Sequence, residues 1–168
     1  MPSETEQKPG WFVSMGEENH WRWSAFNDLS GREVYDLLQL RCAVFVVEQA
    51  CAYLDPDGLE FDAMHCSYRE GGHLLACLRS LAPGVAYGDA SAIGRIVVAP
   101  GARGRGLSRD MVHRGVAFNR ERWPGHPVDM SAQAHLRKLY ESLGFAVIGE
   151  PYLEDGIPHL HMRLDHRR

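Results

Sequence analysis

Apolar and polar residues alternate over Trp21-Arg22-Trp23-Ser24-Ala25-Phe26, which predicts a first strand with one buried face. The period then changes. Ser30 and Glu33 form a capping box, Leu29 and Val34 a hydrophobic staple, and Val34, Leu37, Leu38 and Arg41 continue one face of a helix. That helix runs through an apolar segment to Gln49 and meets an irregular acidic stretch from Asp55 to Asp62. Asp55-Pro56-Asp57-Gly58 lacks the later ligands of a calcium loop and reads as a turn, so no metal is assigned. Ala63 to Tyr68 and His73 to Leu81, parted by Glu70-Gly71-Gly72, read as a β-hairpin.

A β-branched run, Ala92-Ile93-Gly94-Arg95-Ile96-Val97-Val98, then predicts an interior strand. Pro100-Gly101-Ala102-Arg103-Gly104-Arg105-Gly106 ends it, and Leu107, Met111, Gly115 and Phe118, widened by Val112 and Val116, start a helix. After the break at Trp123 to Pro127, Val128, Met130 and Ala132 alternate in a strand, so strand, crossover helix and strand imply a right-handed parallel pair. Leu136, Leu139, Tyr140 and Leu143 share one face of a further helix that Gly144 would end, and Phe145 to Tyr152 and His159 to Leu164 read as the last strands. The expected fold is a single α/β domain over residues 19–168, behind a flexible tail at 1–18, with no repeat and no second domain.

Strand, glycine loop and helix N-terminus make an anion site, because unpaired amides and the positive end of the helix dipole converge there. Arg103 and Arg105 suit a phosphate diester, so the expected ligand is a phosphorylated cofactor. No Gly-x-x-x-x-Gly-Lys-Ser/Thr is present, and no Gly-x-Gly-x-x-Gly follows a strand, which argues against Walker and Rossmann sites. A glycine-rich surface turn or an RNA-contacting Arg-Gly stretch would share these residues.

Charge weighs against the RNA alternative: 18 basic residues face 22 acidic ones, for a net charge of −4. The 168 residues, 45% of them hydrophobic and 24% charged, fit one globular domain. The first residues lack the basic start and apolar core of a signal peptide, and no apolar run reaches membrane-spanning length, so a cytoplasmic protein without a membrane partner is expected. Cys42, Cys51, Cys66 and Cys77 lack a Cys-x-x-Cys spacing and read as reduced, mostly buried thiols.

Arg103-x-x-Gly106-x-Ser108 resembles the pyrophosphate loop of the GNAT acetyltransferases, with Ser108 where that family has Gly or Ala. Tyr140-Glu141-Ser142-Leu143-Gly144-Phe145 is similar to its Tyr-x-x-x-Gly-Phe segment. More narrowly, Leu40-Arg41 to Phe45-Val46-Val47-Glu48-Gln49, Ser131 to Leu136 and Glu154-Asp155-Gly156-Ile157-Pro158-His159 resemble the ElaA-like subgroup, across Trp21 to Leu164. The resemblance implies the GNAT fold: a mixed, mostly antiparallel sheet of six to seven strands with helices on both faces.

It also implies acetyl-CoA as acyl donor and a small-molecule or peptide amine as acceptor, with a homodimer as candidate assembly. The main chain of Ile96, Val97 and Val98 would pair with pantetheine, and the amides of Arg103, Gly104, Arg105, Gly106, Leu107 and Ser108 would hold the pyrophosphate. Tyr140 stands where relatives carry a general acid, although its helix face would call for a large apolar residue there anyway. Gln133 stands where relatives have an asparagine near the pantetheine, and an amide partner for a neighbouring strand is the other reading. For the base, Glu48, His65, His135, Glu154 and His159 are chemically suited, with Glu48 preferred. A module that binds or senses acyl-CoA without turnover is the alternative to an enzyme.

Overall fold

The computed structural model describes residues 20–166. Among them, eight strands form one sheet: β1 (His20–Ala25), β2 (Met64–Glu70), β3 (His73–Leu81), β4 (Ser91–Val98), β5 (Val128–Gln133), β6 (Ala146–Val147), β7 (Tyr152–Glu154) and β8 (Ile157–Leu164). Their order is β1-β2-β3-β4-β5-β8-β6, with β7 also on β8. Every pair is antiparallel except β4 and β5, the parallel pair expected from the crossover. The tail at 1–18 lies outside the described residues.

The strand expected from Phe145 to Tyr152 is two short ones, because Gly149 turns the chain at φ +73° and Pro151 follows. This takes the count past the six to seven expected. The segment expected to be a connector up to Pro158 is instead a tight hairpin, with Asp155 and Gly156 both at positive φ, the type I′ geometry that Asp-Gly favours.

The capping box of Ser30 and Glu33 is formed at the start of α1 (Gly31–Arg41). The helix then widens into π turns over Cys42–Glu48, with Gln49 N–H donating to Val44 O at 3.1 Å. This α1 side packs Leu37 and Val44 on Cys77 and Val97. The opposite face carries the main core, where Met111 and Val112 of α2 (Leu107–Arg122) meet Leu78, Ile93, Met130 and Met162. The helix expected from Leu136 begins as a 3₁₀ turn, Ala134–Leu136, before α3 (Arg137–Ser142), and Gly144 ends it at φ +94°.

Two residues of α2 explain its close seating. A Cβ on Gly115 would sit 2.8 Å from Leu78 Cδ1 and 3.1 Å from Ile93 Cγ2, so glycine lets the helix lie against β3 and β4. Gly115→Val is expected to lower unfolding free energy by about 1–3 kcal/mol, the range for overpacking, in a denaturant titration. Asn119, fully buried, donates to Ser91 Oγ at 3.0 Å and Ala92 O at 3.1 Å and accepts from Ser80 Oγ, tying the helix to both strands. The apolar stripe marks Phe118, not Asn119, as the inward residue. Phe118 instead stacks on Trp23, with centroids 4.0 Å apart.

Alternation gives β5 and β8 one apolar and one polar face. Met130, Ala132, Leu160 and Met162 enter the main core, while Asp129, Ser131, Gln133, His159, His161 and Arg163 point the other way. On that polar side, His161 and Arg163 are held by buried Asp129, and Ser131 and His159 remain in a cleft.

Candidate active site

The cleft arises because β4 and β5 pair only at Ser91 with Val128 and Ala92 with Asp129 and then diverge. On the other flank, Cys77 faces Val97 and Arg79 faces Gly94, so β4 carries one more residue than β3 between these points. That residue is a bulge. Arg95 sits there at φ +50°, outside the region an arginine ordinarily adopts, and its side chain is anchored: Nη2 donates to Asp55 O at 3.1 Å, and Nε lies 2.9 Å from Asp55 Oδ1. Beyond the bulge, the edge of β4 facing β5 has no strand partner and opens into a cleft of about 410 Å³.

At one end of the cleft lies the glycine loop. Gly104 and Gly106 take φ +77° and +81°, and Gly106 is the N-cap of α2 with no side-chain cap. The Arg103 amide, expected in the cradle, instead donates to Pro100 O at 3.4 Å, closing the turn that ends the strand. The amides from Gly104 to Arg109 have no protein acceptor among the described residues, and Asp110 N–H is the first to return to the chain, on Gly106 O. A Cβ at Gly104 or Gly106 would meet no protein atom within 4 Å. Leu107 is buried in the core, and Ser108 faces the cleft.

Both loop arginines are held by carboxylates. Arg103 pairs with Glu48 at 2.9 Å and 3.0 Å and donates Nε to Val98 O, while Arg105 grips Glu70, which also accepts from Tyr68. Glu48 therefore lies at the cleft wall with both oxygens on a guanidinium. Gln133 exchanges amide hydrogen bonds with Gln49, at 2.9 Å and 3.4 Å, and both line the cleft.

Tyr140 is buried at the cleft wall, edge-on to Phe145, and its hydroxyl has no hydrogen-bond partner among the described residues. Burial pushes its pKa up to about 12, so the phenol keeps its proton at neutral pH. Of the base candidates, Glu48, His135, Glu154 and His159 line the cleft. His65 does not: it is buried on the far flank, with Nε2 3.1 Å from Glu60 O.

Three features were not legible beforehand. The acidic stretch folds inward, Asp55 on Arg41 at 2.7 Å, Asp57 on Arg79 at 2.6 Å and Glu60 on both arginines. Cys51 lines the cleft, with Sγ 3.3 Å from Asp155 O, and all four cysteines are unpaired. Around Ser131 a hydrogen-bonded cluster joins Tyr152 and Glu154, and His159 Nε2 lies 3.9 Å from Glu154 Oε2, beyond hydrogen-bond length. Only the Asp-Gly dipeptide at the β7–β8 turn signalled that these residues would meet.

A strand edge left open where β4 and β5 part lies beside an amide loop at a helix N-terminus, an arrangement suited to an extended phosphorylated ligand. Residues 62–166 match the family model described as an acetyltransferase (GNAT) domain, and the chain belongs to that family of acyl-CoA-dependent acyltransferases. Within it the chain is ElaA-like. It is 40% identical to protein ElaA of Escherichia coli over 84% of this chain and 94% of that one. It superposes on an acyl-CoA N-acyltransferase from Pseudomonas aeruginosa with TM-score 0.82, at 43% identity over 87% and 99% of the two chains. The crystal structure of E. coli ElaA gives TM-score 0.81, at 37% identity over 88% and 100%.

Acyl-CoA fits what is present. The amides without acceptors, the open space above Gly104 and Gly106 and the unpaired edge of β4 match a pyrophosphate followed by an amide-bearing arm.

Proposed function

We propose that this enzyme uses acetyl-CoA to acetylate a primary amine of a small molecule or peptide. The observation that carries the reading is the meeting, in one cleft, of the open loop, the free β4 edge and a buried Tyr140. When bound, acetyl-CoA supplies a thioester whose acyl carbon accepts the amine.

The amides of Gly104 to Ser108 hold the pyrophosphate, and Arg103 and Arg105 neutralise it. Both arginines are already placed by Glu48 and Glu70. The main chain of Ile96 to Val98 pairs with the pantetheine arm, and Gln133, positioned by Gln49, hydrogen-bonds it from the cleft wall. Tyr140 donates its proton to the departing sulfur. The four free thiols support a reducing, cytoplasmic setting.

Calorimetric titration with CoA and a thiol-release assay against an amine panel test this reading. CoA binding together with amine-dependent thiol release is the expected result, and binding with no release on any amine would favour a sensing module instead. Tyr140→Phe should lower turnover at least about tenfold, at or below the low end for general acids because a thiolate is already a fair leaving group. CoA affinity and melting temperature should stay unchanged, since the ring and its packing remain.

A further inference from the structure

We propose that Glu154 and His159 form the site that receives the acceptor as a primary ammonium, with His159 Nε2 the base that deprotonates it. This rests on the acetyl-transfer reading above and assigns its acceptor end.

His159 Nδ1 lies 2.8 Å from Ile157 O, an acceptor only, so Nδ1 carries the proton and Nε2 of the neutral ring keeps its lone pair. The ring is held by this bond and by stacking on Tyr152, and its side chain is 12% exposed. Nε2 faces Glu154 Oε2 at 3.9 Å, too long for a hydrogen bond. An ammonium nitrogen about 2.8 Å from each would see them roughly 90° apart, so two of its N–H bonds can be used at once.

Glu154 is aimed rather than free. Ser131 Oγ–H donates to its Oε2 at 2.8 Å, which leaves Tyr152 O–H to donate to Ser131 Oγ, a relay of two hydroxyls ending on the carboxylate. Glu154 and His159 line both the main cleft and a second cavity of about 210 Å³, and the residues common to the two include the bulge at Gly94 and Arg95. The subsite thus opens on the point where β4 and β5 part. Among the other polar groups of the cleft, Arg95 is held by Asp55 and Asp57, Gln133 by Gln49, and Glu48 by Arg103, while His135 and Asp155 also line it.

The ammonium binds Glu154 and passes one proton to His159 Nε2. The freed nitrogen lone pair forms the C–N bond to the acyl carbon, and the C–S bond breaks with its electrons going to sulfur. After attack the nitrogen gives up its second proton, which restores the one Tyr140 passes to sulfur, and imidazolium, steadied by Glu154, returns its proton to solvent. Ammonium and thioester become amide, thiol and one released proton.

The test uses tyramine, spermidine and a lysine-containing tripeptide as acceptor probes. With whichever is acetylated, His159→Gln should lower kcat/KM at pH 7 at least about a hundredfold, within the range for a general base, with CoA affinity unchanged. The variant's rate should then climb about tenfold per pH unit toward the amine pKa near 10, as free amine replaces the lost base. Glu154→Gln should mainly raise the KM for the amine. Independently of turnover, ¹⁵N NMR of the free protein should show His159 as the Nδ1–H tautomer. An Nε2–H ring, or H159Q with wild-type turnover, overturns the base while leaving acetyl transfer standing; no transfer by the wild type to any amine overturns both.

Discussion

Gly106→Glu is expected to weaken CoA binding more than about a hundredfold without unfolding the protein. Gly106 is the N-cap of α2 at φ +81°, where an L-residue costs about 1–2 kcal/mol, a loss the domain can absorb. A Cβ there meets no protein atom within 4 Å, so the new side chain leaves the backbone into the open space beside the loop. Its carboxylate would take the amides that have no acceptor and repel a pyrophosphate. Losing two charge-assisted hydrogen bonds at about 1.5–3 kcal/mol each is a loss of roughly 10²- to 10⁴-fold. Gly106→Ala carries the backbone strain alone and should stay within about tenfold of wild type. Calorimetry with CoA separates the two, and a glutamate variant that binds as wild type would remove the loop from the cofactor site.

That loop was legible because its information is local: glycine, arginine and the start of an apolar stripe lie within a few residues of each other. The capping box at Ser30, the C′ glycine at Gly144 and the alternation of β5 are local in the same way. The bulge is not. Arg95 sits inside a β-branched run that promises a regular strand, and what turns its backbone is a side chain reaching Asp55, 40 positions away. Glu48 shows the same limit. Its chemistry suited a base, but its nearest charged group is Arg103, 55 positions along the chain, and only the fold brings that guanidinium to it. On β5 and β8 the alternation marked a polar face. Which part of it would line a cleft depended on where β4 and β5 diverge, a property of pairing rather than of composition.

The second large effect is expected at Asp55. Its side chain is buried between Arg41 at 2.7 Å, Arg95 at 2.9 Å and Tyr53 at 3.1 Å, so Asp55→Ala leaves two guanidinium groups short of a partner. Breaking a buried pair from one side costs about 3–5 kcal/mol, a large part of a domain's stability. It also removes the carboxylate facing Arg95 Nε, leaving that side chain on the residue-55 carbonyl and Asp57 alone, so the variant should lose some CoA affinity even where it is still folded. The same cluster contributes to the acid response. Burial alone would raise the carboxyls of Asp57 and Glu60, but hydrogen bonds from Arg79 to Asp57 and from Arg41 to Glu60 prevail and hold both below the ordinary range. His65, behind them, is kept below its usual value by burial. In each case the unfolded chain takes up the proton first as pH falls. Stability should therefore be full above about pH 6.5, decline as His65 becomes charged in the unfolded state, and fall more steeply below about pH 4 as the carboxyls protonate. Urea midpoints from pH 3 to 8 would show this in two stages, and Asp57→Asn should weaken the lower one while leaving the upper. A midpoint that does not move between pH 8 and 3 would mean the cluster contributes nothing that depends on its charge.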